Sequence, residues 1–173
     1  MSLDDAQLTA CYRRLERPLY NALYRLLWEP QACMDVMHDA CLAVWAKRDG
    51  VDPTRVDALV TAAALNLARN HRRWQSLRRW LPWDDASAGM LPRAGEDDEP
   101  SAQLETAQLR VAVEALPWRD REVLVLGEFM GFSTVEIAEA LGIPPGTVGS
   151  RRHHAIRRLA GRLGTKATGL NDE

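Results

Sequence analysis

Cysteine is scarce in this chain: three among 173 residues, Cys11, Cys33 and Cys41, all in the first quarter. There is also no signal-peptide core and no long apolar run, so the sequence points to a reducing cytoplasm and excludes a membrane span. Cys33, His38 and Cys41 fall within nine residues. A fourth ligand at zinc-site spacing is missing, which leaves buried thiols and a metal as the two readings of that cluster. No phosphate-binding glycine loop and no nucleophile with a paired base is recognisable, so neither a cofactor nor an enzymatic activity is implied. Strand-like alternation and internal repeats are absent as well.

What is present is charge, and its location says more than its sum. Lys and Arg number 22 against 24 Asp and Glu, a formal net charge of −2 with a pI of about 6.1. Those totals argue against a nucleic-acid partner, yet the cations are bunched. Arg69, Arg72, Arg73, Arg78 and Arg79 form one group, and Arg151, Arg152, Arg157, Arg158, Arg162 and Lys166 a second. Asp84, Asp85, Glu96, Asp97, Asp98, Glu99 and Glu105 lie between them. Two basic patches flank an acidic bridge.

Periodicity predicts an all-α chain of two small helical domains joined by a flexible acidic linker, the C-terminal domain containing a helix-turn-helix. Leu15, Leu19, Leu23, Leu26 and Leu27, then Val36, Met37, Leu42, Val44 and Trp45, then Val56, Leu59, Val60, Ala63, Leu67 and Ala68 recur at helical spacing. Pro30, Gly50 and Pro53 punctuate them. Domains are expected at 5–80 and 104–165. Between them, 81–103 carries Pro82, Gly89, Pro92, Gly95 and Pro100 among acids, a composition that predicts a mobile tether and independently moving halves.

The strongest local signal is STVEIAEALGIPPGTVGSRRHHAIRRL, residues 133–159. Ser133 and Glu136 form a capping box, and Ile137, Ala138 and Leu141 face inward. Gly142 suits a left-handed helix end. Pro144 and Pro145 then open a second helix that buries Val148, Ala155, Ile156 and Leu159. Its other side carries Thr147, Ser150, Arg151, His153, His154 and Arg157. In a helix-turn-helix the second helix enters the major groove, with early side chains on base edges and flanking hydroxyls and cations on phosphates. A plain solvated face is the competing reading of the basic run alone.

Extended upstream to LPWRDREVLVLGEFMGFSTVEIAEALGIPPGTVGSR, this half resembles the C-terminal DNA-binding region of bacterial RNA polymerase sigma factors, in particular the extracytoplasmic-function group. The match rests on Leu116-Pro117, Arg121-Glu122-Val123, Glu136-Ile137-Ala138, Gly142-Ile143-Pro144, Gly146-Thr147-Val148 and Ser150-Arg151. The first half resembles the other conserved region of that family through Tyr12 to Leu27, Glu29-Pro30, Asp35, Asp39 and Leu42 to Trp45. Ala64 to Ala68 with Arg69 to Arg73 resembles its promoter-melting helix.

The resemblance implies a division of labour. Asp35, Asp39 and Trp45 would dock on the clamp of core RNA polymerase. Asn66, Arg69, His71, Arg72, Arg73 and Trp74 would engage the -10 element and hold the freed strand, where stacking on an aromatic is worth roughly 1–3 kcal/mol per base. Trp74 and Trp80 have a second reading, as aromatics that cap a core. Ser133, Thr147, Ser150, Arg151, His153, His154 and Arg157 would serve the -35 element of promoter DNA, and the same domain would touch the polymerase flap. The acidic linker would thread near the active centre, and family habit implies an anti-sigma partner.

Departures from the family pattern are Gly149, His154 and Ile156 where cations are common, Leu59 where Trp is common, and Ala32, Cys33 and Met34 in a usually acidic stretch. Gly149 inside a helix costs about 0.5–1 kcal/mol relative to Ala. These departures keep open a second reading, a helix-turn-helix regulator or sigma-like protein that does not initiate transcription.

Overall fold

The computed structural model describes residues 2–78 and 100–164. Trp80, most of the acidic linker, Lys166 and the tail after Gly164 lie outside them. Among the described residues every regular element is helical, and no helix is long and apolar enough to cross a membrane.

Helix α1 (Asp5–Leu27) opens on a capping box missed by the apolar periodicity: Gln7 N–H donates to Asp4 Oδ1 at 2.7 Å and the Gln7 side-chain amide accepts from Asp4 N–H at 3.0 Å. Leu15, Leu19, Leu23 and Leu26 line its buried face. It ends at Trp28, left-handed at φ 58°, whose N–H donates to Tyr24 O at 2.8 Å. A non-glycine residue there is unusual, and Glu29, extended ahead of Pro30, then lets α2 (Pro30–Trp45) start with proline in its first turn.

Helix α2 buries Ala32, Cys33, Val36, Met37, Ala40 and Val44. Leu42, which the apolar pattern assigned with that set, is 64 % exposed. It lies about 200° around the helix from Ala40, off the buried face. Two 3₁₀ turns, Arg48–Gly50 and Pro53–Arg55, lead into α3 (Val56–Arg78), whose Val56, Val60, Ala64 and Ala68 complete the first core. Arg14 on α1 grips Asp57 on α3 through both carboxylate oxygens, at 2.7 and 3.0 Å. That guanidinium holds the Asp57 carboxyl below the usual range.

Helix α4 (Pro100–Glu114) begins inside the stretch expected to be linker. It stops before Pro117, where α5 (Trp118–Met130) begins. Gly131 in the left-handed region separates α5 from α6 (Thr134–Leu141), and Gly142, also left-handed, leads to α7 (Pro145–Leu163). The predicted capping box is formed: Ser133 N–H donates to Glu136 Oε2 at 2.8 Å and Glu136 N–H to Ser133 Oγ at 3.3 Å. Val148 and Ala155 are buried as expected, whereas Ile156 and Leu159 are half-buried.

The two halves, expected to move independently, pack against one another here. Ala22, Leu26 and Leu65 of the first half share one hydrophobic cluster with Val123, Val125, Leu126, Ile137, Ala138, Leu141 and Val148 of the second. Composition predicted the linker but not that α1, through Ala22 and Leu26, and α3, through Leu65, pack against the other half.

Cys11 and Cys33 are fully buried and Cys41 half-buried, all as free thiols. Burial pushes Cys11 and Cys33 up to about 12, the Asp57 carboxylate adding to the effect at Cys11. His38 stacks on Tyr12 with ring centroids 6.1 Å apart. Alkylation of native protein at mildly alkaline pH should therefore stop at Cys41, with Cys11 and Cys33 reacting only in denaturant, as peptide mass mapping would reveal. Because the folded thiols titrate near 12 and unfolded ones near 9.0, their contribution to stability is complete below pH 9 and disappears between about pH 9 and 12.

Candidate nucleic-acid interface

Two faces carry the basic residues. On α7, Ser150, His153, His154 and Arg157 are exposed, and Thr147 and Arg151 half-buried. Ser150 Oγ donates back to Thr147 O at 3.0 Å, which orients the Ser150 hydroxyl near the helix start. Arg152 is tied to Glu128 of α5 at 2.6 Å and Arg158 stands 3.9 Å from Asp120. These two turn toward the helix's own domain, while Arg157 and Arg162 are exposed and Arg151 half-buried on its remaining surface. Ser133, exposed, serves the α6 cap.

Gly149 sits mid-helix with nothing within 4 Å of where a Cβ would be. Gly149→Ala should therefore raise stability by about 0.5–1 kcal/mol and the melting temperature by roughly 1–4 °C, measurable by thermal unfolding. An unchanged or lower melting temperature would contradict an unstrained helical glycine.

On α3, Asn66, Arg69, Arg72 and Arg73 fall within about 120° of arc, while His71 points nearly opposite Arg69. Arg69 donates to Asn66 Oδ1 at 3.1 Å and pairs with Glu122 of α5. Arg72 lies 5.0 Å over the Trp118 ring. His71 turns to Glu29 at 3.4 Å and to Gln75 at 3.0 Å. Arg73 and Trp74 are exposed, Trp74 at 67 %, so Trp74 caps no core. The helix thus brings Asn66, Arg69, Arg72 and Arg73 together and sets His71 apart.

A third face lies on α2. Asp35 and Asp39 are exposed, Asp35 accepting from Gln31 at 2.9 Å. One turn on, Leu42 continues their stripe. Trp45, half-buried at its edge, carries Arg48 at 4.8 Å over its ring. Leu42 is an exposed apolar residue on this face, where apolar periodicity had grouped it with inward-facing neighbours. Its signal was its register with Asp35 and Asp39.

Also missed was a buried charged run, Asp120, Arg121 and Glu122, at 8 %, 5 % and 1 % exposure. Arg121 donates to the Leu26, Glu114 and Leu116 carbonyls. Burial, reinforced by nearby Arg72, pushes its guanidinium down to about 10. Three successive charges next to Val123–Leu126 were the readable hint that this segment is polar inside.

Comparison with known proteins agrees with this layout. The Sigma-70 region 2 family matches residues 11–78, and the Sigma-70, region 4 family matches residues 106–159. The chain is 32% identical over 138 residues to the RNA polymerase sigma factor CnrH of Cupriavidus metallidurans, covering 75% of this chain and 72% of the relative. It is 29% identical over 156 residues to the ECF RNA polymerase sigma factor SigL of Mycobacterium tuberculosis, covering 89% and 87%. Its fold resembles that of CnrH in complex with the cytosolic domain of CnrY, with a TM-score of 0.67 at 24% identity over 92% of this chain and 89% of that one. It also resembles RpoE in complex with the anti-sigma factor NepR from Bartonella quintana, with a TM-score of 0.65 at 20% identity over 89% and 96%. Two regions matched in order, where a lone helix-turn-helix would have suited many regulators, place the chain in the sigma-70 family: it is an extracytoplasmic-function RNA polymerase sigma factor.

Proposed function

We propose that the sigma activity is divided between residues 5–80, which bind core polymerase and open the -10 element, and residues 104–165, which read the -35 element, with 81–103 as the tether. The exposed arginine faces of α3 and α7, on separate sequence regions, carry this reading. Asp35, Asp39, Leu42 and Trp45 form the face for the polymerase clamp, where apolar anchors supply energy and carboxylates set orientation. Arg69, Arg72, Arg73 and Asn66 hold the phosphates of the opened strand, and Trp74 offers a stacking face for an unpaired base. His71 braces α3 against Glu29.

At the upstream site Thr147, Ser150, His153 and His154 meet base edges, and Arg151 and Arg157 meet phosphates. The cationic departures at Gly149 and Ile156 lower the number of phosphate contacts, and with them the salt dependence, by about 0.9 in slope per contact. Binding energy does this work, with no bond chemistry on the chain itself. The likeness to sigma factors held in complexes supports an anti-sigma partner here as well, and the setting is the bacterial cytoplasm.

The test is transcription by core polymerase on promoters recovered with the tagged chain, with permanganate probing of promoter thymines. Initiation and thymine reactivity dependent on the chain are expected. Core binding and DNA binding without opening would favour a sigma-like protein that does not initiate.

A further inference from the structure

A cavity of about 280 Å³ lies where four helices meet, its wall including Trp28 at the end of α1, Arg72 and Gln75 of α3, Glu114 of α4 and Arg121 of α5. Its charge is one-sided. Two guanidiniums share the wall, and burial, reinforced by the charge of Arg72, pushes Arg121 down. Among the described residues Glu114 is the one carboxylate that lines it, and Glu114 is exposed. Glu29, close by, is engaged by Gln75 at 2.8 Å and by His71.

Arg121 is only 5 % exposed, and its hydrogen-bond partners among the described residues are the carbonyls of Leu26, Glu114 and Leu116. Those dipoles, at the ends of α1 and α4, orient the guanidinium without cancelling its full charge. Arg121 Nε has no hydrogen-bond partner among the described residues, nor has the buried indole N–H of Trp28. Both belong to residues of the cavity wall, and buried donors without an acceptor are rare enough to call for one. A cavity of this size falls just under the range of drug-sized ligand sites, so it suits a compact guest. Its donors ask for oxygens that carry negative charge, and the planar fork of arginine matches phosphate. We propose that this cavity binds a compact phosphate group, free or at the end of a small ester, between Arg72 and Arg121 with the Trp28 indole N–H as a further donor.

The test uses the full chain without DNA or polymerase, titrated with inorganic phosphate at constant ionic strength. The indole N–H resonance of Trp28, assigned by its loss in Trp28→Phe, should shift saturably, and the melting temperature should rise above that in chloride. Arg72→Gln, at an exposed position, should weaken binding at least about tenfold, the loss of one charge-assisted contact. Arg157→Gln on α7 should leave it unchanged. Phenyl phosphate binding more tightly than inorganic phosphate would support the site with an ester as its source, and equal or weaker binding would support it with the free anion. No saturable shift at Trp28, or binding weakened by Arg157→Gln and not by Arg72→Gln, would overturn the site. With no promoter or polymerase in the assay, that failure is separate from any failure of the sigma reading.

Discussion

With Arg72→Glu and Arg73→Glu introduced together, strand opening at a cognate promoter should be lost while binding to core polymerase persists. Both side chains are exposed on α3, so the substitutions leave no cavity, and the α2 face of Asp35, Asp39 and Leu42 is untouched. Each reversal converts a phosphate attraction into a repulsion. Two lost contacts at a salt slope of about 0.9 each give a fall on the order of 100-fold at physiological salt, steeper as salt is lowered. The competing structural effect is small, since the guanidinium over Trp118 at 5.0 Å is worth about 0.5–1 kcal/mol at an exposed site.

The two positions are not equivalent, however. Arg72 helps to depress Arg121 and lies over Trp118 of α5, so Arg72→Glu also perturbs the contact between the halves. Arg73→Glu alone reports the DNA contact more directly. Permanganate reactivity unchanged in the double variant would remove α3 from the melting step.

Arg121→Ala is expected to be the most destabilising single change. Two effects oppose one another. Removing a buried cation relieves its desolvation, the effect that pushes Arg121 down to about 10. Against that, the Leu26, Glu114 and Leu116 carbonyls lose their donor and the side chain's volume is left empty. Unmet buried acceptors cost about 1–3 kcal/mol each, and a truncated core residue adds a cavity term. The carbonyls and cavity win, for a net loss of about 3 kcal/mol and a melting temperature lower by roughly 6–12 °C.

Arg121→Lys should recover part of this, because an ammonium can reach some of the same oxygens but not fork between all three. Thermal unfolding of the three proteins checks the order. An Arg121→Ala protein as stable as the parent would mean that the desolvation cost outweighs those hydrogen bonds.

Local signals in the chain were read correctly where the physics is local. Ser133 and Glu136 cap α6 because both partners lie within one turn, and Gly142 and Pro145 place the turn because backbone sterics act on single residues. The leucines of α1 announced a buried stripe for the same reason. Legibility fell where a side chain answers to a distant segment. Leu42 looked like core because periodicity counts apolar residues without knowing which neighbour is absent. The burial of Arg121 and Glu122 went unread because their partners, Leu26 and Arg69, are far away in sequence. His71 was grouped with its arginine neighbours by position in sequence, whereas its ring lies against Glu29 and Gln75.

The amino-acid sequence by itself determined the helical class, the two regions, the recognition helix and the family. Those depend on capping, spacing and residue type, which are properties of short stretches. Tertiary structure alone decided that the halves pack together, which partners Arg121 and Glu122 take inside, and that Arg69 and Arg72 of α3 already have partners. Those facts come from desolvation and contact between remote segments, which no local pattern encodes.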